Sequence, residues 1–383
     1  MASNRSSKIH PRRETIPEQV KIDSQEQLQP RSVSPFIYLV RLIICGLGAS
    51  TIAGTTISII HPPKQQIATT AEPPLPDPIL LPLDRLKLTQ SSQVLTERLQ
   101  AMTKKNSKLD SSYLFVEIER GEHSQVGSDR VLPAASTIKL PILIALFQDV
   151  DTHKVRLEEK LTIDKKSIAE GSGDLQDQKP GTQVSILVAA TKMMTISDNT
   201  ATNLIVARLG GKAALNQRFR NWGLQVTTIN QQLPDLEGKN ITTAGELARS
   251  IVAIERGKIV SDSSRSQILS MMSNTIGNTM LPKGLGAGAK IAHKTGDIGS
   301  IIADVGLIEL PTGKKYIAAV LVKRPYNDPA GPELVRQMSK VAYTYFQQPQ
   351  PTPNPSTKPQ LVHSPGATND SGFPNTVFIK NKR

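Results

Sequence analysis

Apolar residues are spread along this chain in several textures, and the texture changes before any chemistry does. From Phe36 onward they run almost without a break, and residues 42–60 hold 19 positions with no charge, flanked upstream by Arg41. That length crosses a hydrocarbon core as one helix, so residues 35–60 predict a transmembrane helix. Further on the pattern shortens. Residues 86–104 predict a helix and 113–119 a strand, with a second short strand before Leu132. Residues 136–150 predict a markedly apolar helix, and 184–209 two helices broken near Ser197. Helices over 244–256 and 264–272 precede strand-like runs at 290–295, 301–310 and 315–322, the last two joined by Pro311-Thr312-Gly313, a turn signal. A final helix over 332–346 puts Leu334, Met338, Val341 and Tyr345 on one face. Strands thus lie at both ends of the domain and helices fill the middle. The order predicts a sheet built from both ends around a helical insertion, its first and last strands paired.

Proline sets the domain limits. Residues 61–82 contain seven prolines and 347–383 seven more. The first stretch belongs to a stiff linker over 61–85; the second, without apolar periodicity, predicts a disordered tail. Between them, 86–346 is one sizeable domain. The polar segment 1–34 carries six basic residues against four acidic ones, whereas only Lys64 is basic just past the span. The positive-inside rule places this N-terminal tail in the cytoplasm and the domain outside it, periplasmic in an envelope with two membranes. A cleaved signal peptide is the rival reading, but 34 polar residues precede the apolar run.

Charge and composition narrow the classes. The formal net charge is +13, which suits an anionic membrane and wall surface. Nucleic acid is not expected as a partner, because no aromatic-basic platform accompanies the charge. The six histidines are scattered and Cys45 is the lone cysteine, so neither a metal site nor an internal disulfide is expected. The run 284–288, Gly-Leu-Gly-Ala-Gly, precedes a strand and does not open a helix, which is the wrong geometry for phosphate. No cofactor is called for, and the domain is expected to be monomeric.

Three short motifs carry the chemistry. Ser136-Thr137-Ile138-Lys139 opens the apolar helix. Residues three apart share a helix face, so Lys139 lies beside the Ser136 hydroxyl, and a lysine with a lowered pKa can take that proton. Ser197-Asp198-Asn199 follows 61 residues later, and Lys294-Thr295-Gly296 a further 97 residues on, on a strand-like run. Ser197 offers a hydroxyl to relay a proton to a leaving nitrogen. Asn199 offers an amide to a substrate peptide group, and Lys294 a fixed positive charge for a substrate carboxylate. Gly296 leaves a bare strand edge for an extended substrate. Singly, each motif could be a helix cap, a turn or a strand end; together and in this order they form a set.

That set resembles the active site of class A β-lactamases and the related low-molecular-weight penicillin-binding proteins. The segments SDNTATNLIVARLGG, NWGL and TTAGELA follow in the family's order, so the likeness spans about 86–346. The resemblance implies a five-stranded antiparallel sheet flanked by helices, with an all-helical subdomain. It also implies Ser136, Lys139, Ser197 and Lys294 as catalytic residues, and Asn199, Thr295 and Gly296 in substrate binding. The backbone N–H groups of Ser136 and Asp297 would form the oxyanion hole. One departure stands out. The family's deacylating glutamate aligns with Leu233, and the nearby acids Asp235 and Glu237 fall out of register, which reads them as solvated loop charges. In this the chain is most similar to the class-A-like penicillin-binding proteins of cyanobacteria. The expected activity is that of a D-Ala-D-Ala carboxypeptidase acting on peptidoglycan peptides and acylated by β-lactams. The alternatives are a true β-lactamase or a non-catalytic β-lactam or wall sensor.

Overall fold

The computed structural model describes residues 88–256 and 259–348. The predicted membrane span, the polar tail and proline linker around it, and the C-terminal tail past residue 348 lie outside the described residues. Among the described residues no helix is long and apolar enough to cross a membrane.

The chain enters through a two-residue strand β1 (Gln90–Ser91), and Ser92 caps helix α1 (Gln93–Lys105) by accepting from the Leu95 N–H at 3.2 Å. Strands β2 (Asp110–Glu117) and β3 (Glu122–Val126) form a hairpin, followed by β4 (Leu132–Pro133) and a 3-10 turn (Ala135–Ile138) that runs into α2 (Lys139–Asp151). The helical half then holds β5 (Lys160–Thr162), β6 (Gln183–Ser185), α3 (Ile186–Thr195), α4 (Asn199–Arg208), α5 (Gly211–Asn221), β7 (Ile241–Thr242), α6 (Ala244–Glu255) and α7 (Asp262–Ser273). The chain returns to the sheet through β8 (Lys290–Asp297), β9 (Ile301–Glu309) and β10 (Lys315–Lys323), and closes with α8 (Ala330–Gln347).

The main sheet has six strands in the order β1-β3-β2-β10-β9-β8. As the two-ended pattern requires, β2 pairs antiparallel with β10, Tyr113 opposite Val320. The expectation of a five-stranded antiparallel sheet needs correcting: β1 is a sixth strand and runs parallel to β3, Gln90 opposite Glu122. The run-in to α1 makes it so. The Ser92 N–H bonds the His123 carbonyl at 2.7 Å while its side chain starts the helix, so the last extended residues lie along the β3 edge in its own direction. A two-residue strand has no apolar alternation to announce it.

Alternation along the central strands divides the core. Leu114 and Val116 of β2, with Ile317, Ala319 and Leu321 of β10, face the helical half. Tyr113, Phe115, Ala318 and Val320 face α1 and α8, where Leu95, Leu99, Leu334, Met338 and Phe346 cover them. Helix α2 is buried on every side from Lys139 to Phe147, which explains why it reads as apolar throughout and not as a stripe. Its N-terminus is therefore fixed against β8, and there the functional residues converge.

Candidate active site

Ser136 sits in the 3-10 turn and not yet in the α-helix. The residue before it, Ala135, is held at φ +46°, and Ser197 at φ +58°. Left-handed backbone at a non-glycine residue costs about 1–2 kcal/mol, and these two of the four such residues among the described ones lie in or beside the motif residues. Gly296 explains how closely the parts meet. A β-carbon there would fall 2.9 Å from the Ser136 nitrogen and 2.9 Å from the Ala135 β-carbon. The edge strand β8 can lie against the nucleophile's turn only because position 296 has no side chain. That is a second reason for the glycine besides an open strand edge.

The amine of Lys139 is the centre of the arrangement. It lies 2.7 Å from the Ser197 carbonyl, 2.8 Å from Asn199 Oδ1, and 3.0 Å from both the Ser136 and Ser197 hydroxyls. Burial pushes its pKa well below the ordinary lysine value; the positive charge of Lys294 pushes further and Asp198 pulls back. A neutral amine has two N–H groups and a lone pair. In that form the two carbonyl-type acceptors would take the N–H groups and the lone pair would lie within reach of the Ser136 and Ser197 hydroxyls, both at 3.0 Å, an arrangement that suits a general base.

Lys294 is fully buried too. It donates to the Thr295 carbonyl at 2.8 Å and to Ser197 Oγ at 3.1 Å. Burial lowers its pKa to about 8, with Asp304 opposing. Lys294 therefore keeps its proton near neutrality, while its positive charge helps to strip Lys139 of one. Ser197 Oγ bridges the two lysines, the position a proton relay needs. Asn199 spans Lys139 and the Glu170 carbonyl, to which its Nδ2 donates at 2.9 Å. Ser136, Ser197, Thr295, Gly296 and Asp297 line one cleft of about 240 Å³, with Ser172, Gly277 and Met280 on its other walls. The residues singled out in the three motifs are thus brought together, Ser136, Ser197, Thr295 and Gly296 on the cleft wall and Lys139, Lys294 and Asn199 buried behind it.

Several supporting contacts join segments that are distant in the sequence. Asp198 is buried and caps α4, accepting from Ala201 N–H at 2.7 Å and from Asp174 and Leu175 N–H at 2.9 Å each. It ties the 174–175 loop to the Ser197 turn. Asp304 accepts from His293 at 2.8 Å and from Leu281 N–H at 3.1 Å behind the Lys294 strand. Only the pairing of β8 with β9 reveals that contact.

The loop that would hold a deacylating acid is also ordered from within. Asn203 bonds Leu233 through both backbone groups, donating to its carbonyl at 2.8 Å and accepting from its N–H at 3.1 Å. Leu233 lines a separate cavity of about 320 Å³ with Ile138, Ile142 and Val206. Asp235 is not the solvated charge its sequence context predicts. It is buried and accepts from Gln231 Nε2 at 2.6 Å, Asn240 N–H at 2.7 Å and Lys239 N–H at 2.8 Å. Glu237 is the exposed one, its side chain 69% accessible and paired with Lys239 at 2.6 Å.

Comparison with known proteins agrees with this geometry. The model of the Beta-lactamase enzyme family matches residues 93–346. Beta-lactamase BRO-1 of Moraxella catarrhalis is 25% identical over 281 residues, covering 68% of this chain and 88% of its own. A beta-lactamase of Bacillus licheniformis is 26% identical, covering 61% and 78% respectively. Among solved structures, that of PBP-A is 48% identical with a TM-score of 0.66, covering 67% of this chain and 97% of that one. A leucine-to-glutamate variant of PBP-A, an acyl-enzyme complex with penicillin G, is 47% identical. With its family model spanning residues 93–346 and the side chains of Ser136, Lys139 and Ser197 in contact, this protein belongs to the beta-lactamase enzyme family, the class A β-lactamase-like serine hydrolases.

Proposed function

We propose that this protein is a D-Ala-D-Ala carboxypeptidase, a penicillin-binding protein that β-lactams acylate and that releases them slowly. Ser136 Oγ attacks the penultimate D-alanine carbonyl as its proton passes to Lys139. The developing oxyanion accepts from the Ser136 and Asp297 backbone N–H groups. Lys139 returns the proton through Ser197 Oγ to the leaving nitrogen, D-alanine departs, and water enters by the same route to free the acyl-enzyme. The observation that carries the reading is the state of the 233–237 loop. By the family resemblance Leu233 takes the general base's position; Asp235 is spent on the loop's own N–H groups, and Glu237 is exposed beside Lys239. With a β-lactam the leaving nitrogen stays tethered and blocks the route of water, so no carboxylate of this loop is placed to rescue the ester. The relation to PBP-A supports the same reading. The basic flank and apolar run of 35–60 support a membrane anchor that holds the domain outside the cytoplasm. Cytoplasmic activity of a reporter fused after residue 346 would refute that orientation.

The test is the lifetime of the penicilloyl-enzyme, followed by mass spectrometry beside hydrolysis of a D-Ala-D-Ala peptide. The acyl-enzyme should persist for minutes to hours while the peptide is cleaved. Leu233→Glu should shorten the lifetime roughly ten- to a thousandfold, the range of general-base catalysis. Rapid penicillin turnover that Glu237→Gln abolishes would instead make the protein a β-lactamase with Glu237 as its base.

A further inference from the structure

Among the described residues Asp297 is the only charged side chain on the wall of the cleft. Its backbone belongs to the oxyanion site, and its carboxylate is half exposed. A free carboxylate there would repel a substrate's terminal carboxylate and the oxyanion alike. The charge is met by Arg324, at the end of β10, whose side chain is only 4% accessible. One Arg324 nitrogen, Nη2, lies 2.7 and 2.8 Å from the two Asp297 oxygens. The same guanidinium donates from Nε to the Gly299 carbonyl at 2.9 Å and from Nη1 to the Asp328 carbonyl at 3.0 Å. The turn after β8 is closed by the same groups: Gly299 N–H donates to Asp297 Oδ1 at 2.8 Å and Arg324 N–H to the Ser300 carbonyl at 2.9 Å. Gly331, at the start of α8, makes room for this arginine, since a β-carbon there would fall 2.7 Å from Arg324 Cδ.

We infer that Arg324 is a positioning residue for acylation: it cancels the charge of Asp297 and fixes the 297–300 turn, so that the cleft accepts anionic acyl donors. An arginine suits both tasks, because its planar fork serves several acceptors at once and stays charged at every working pH. The inference rests on Ser136 being the nucleophile for such donors.

The experiment compares acylation rates by penicillin G and by its methyl ester, which lacks the negative charge, in the wild type and in Arg324→Lys, Arg324→Gln and Asp297→Asn/Arg324→Gln. The readout is the ratio of the anionic to the neutral rate. Arg324→Gln should lower that ratio on the order of ten- to a hundredfold, as one uncompensated charge close to the substrate does. Added salt should restore part of it. Arg324→Lys should keep the ratio within a few fold, and the double variant should recover it. A loss of folding in Arg324→Gln that the double variant repairs also supports the inference. Equal loss for both donors, a ratio that stays low in the double variant, or a folding defect that it does not repair would overturn it. Labelling of wild-type Ser136 by penicillin, read separately, tells a failure of the underlying mechanism from a failure of this inference.

Discussion

Replacing Lys294 by methionine should stabilise the protein near neutral pH while removing its activity. Burial holds this amine at a pKa of about 8 against an ordinary value of 10.5. The gap of about 2.5 pH units between those two values corresponds to about 3 kcal/mol. The folded pKa lies below the unfolded one, so between pH 8 and 10.5 the unfolded chain binds more protons and stability rises with pH. Below pH 8 the amine is protonated in both states and the full cost of burying it is present. Methionine has nearly the same length and no charge. It removes one donor from the Thr295 carbonyl and one from Ser197 Oγ, which keeps Lys139 as a partner, at up to about 1 kcal/mol each, so the net gain at pH 7 is at least about 1 kcal/mol. Lys139 also loses a repulsive neighbour, which adds to the gain. The assay is urea unfolding at pH 7 and 9.5, followed by the fluorescence of Trp222, the single tryptophan, buried beside Phe219 at a ring distance of 5.5 Å. Wild type should be the less stable of the two at pH 7 and gain on the variant by pH 9.5. A variant clearly less stable at pH 7, or a wild-type-minus-variant difference that does not change with pH, would refute the argument that a charged Lys294 is held at a cost.

Other tests follow from the same geometry. Ser136→Ala should abolish labelling by fluorescent penicillin with the fold intact, and Lys139→Ala should slow acylation on the order of a thousandfold or more; undiminished labelling of Ser136→Ala would remove Ser136 as nucleophile. Asp235→Ala should cost about 2–4 kcal/mol by stranding buried N–H groups, whereas Glu237→Ala should fall within about 0.5 kcal/mol. Thermal melts of the two variants side by side decide this, and equal shifts would contradict the different roles assigned to these acids.

The parts of the site legible in the sequence were those where residue type, spacing and element coincide. Ser136 and Lys139 share a helical spacing, and the apolar run after them declares a buried helix. Lys294 and Gly296 sit on a strand whose pattern is unmistakable. What stayed hidden depends on contacts between distant segments. Asp235 and Glu237 are two residues apart and chemically alike, yet one is buried by the loop's closure and the other is not. Asp304 looks like a charge stranded in an apolar strand until β8 places His293 beside it. Arg324 reads as the polar end of a strand, and nothing local connects it with Asp297. Helix α5 was also unforeseen: its buried face comes down to Leu215 and Phe219, too few apolar positions to set a period.

The pairing of β2 with β10 has a consequence for how the chain comes to be folded. These neighbours in the middle of the sheet are separated by roughly 200 residues of sequence. Closing so long a loop is slow in proportion to the entropy it removes, and its reward arrives only when the second partner is present. During synthesis the β2–β3 hairpin emerges early and keeps an open, apolar edge until residues 315–323 have been made. The helical half can condense around α2 in the meantime, but β8 cannot settle against the Ser136 turn before β9 and β10 anchor it. A nascent chain cut short before Lys315 would therefore carry every motif residue and still lack a working site, with a sticky strand edge in its place.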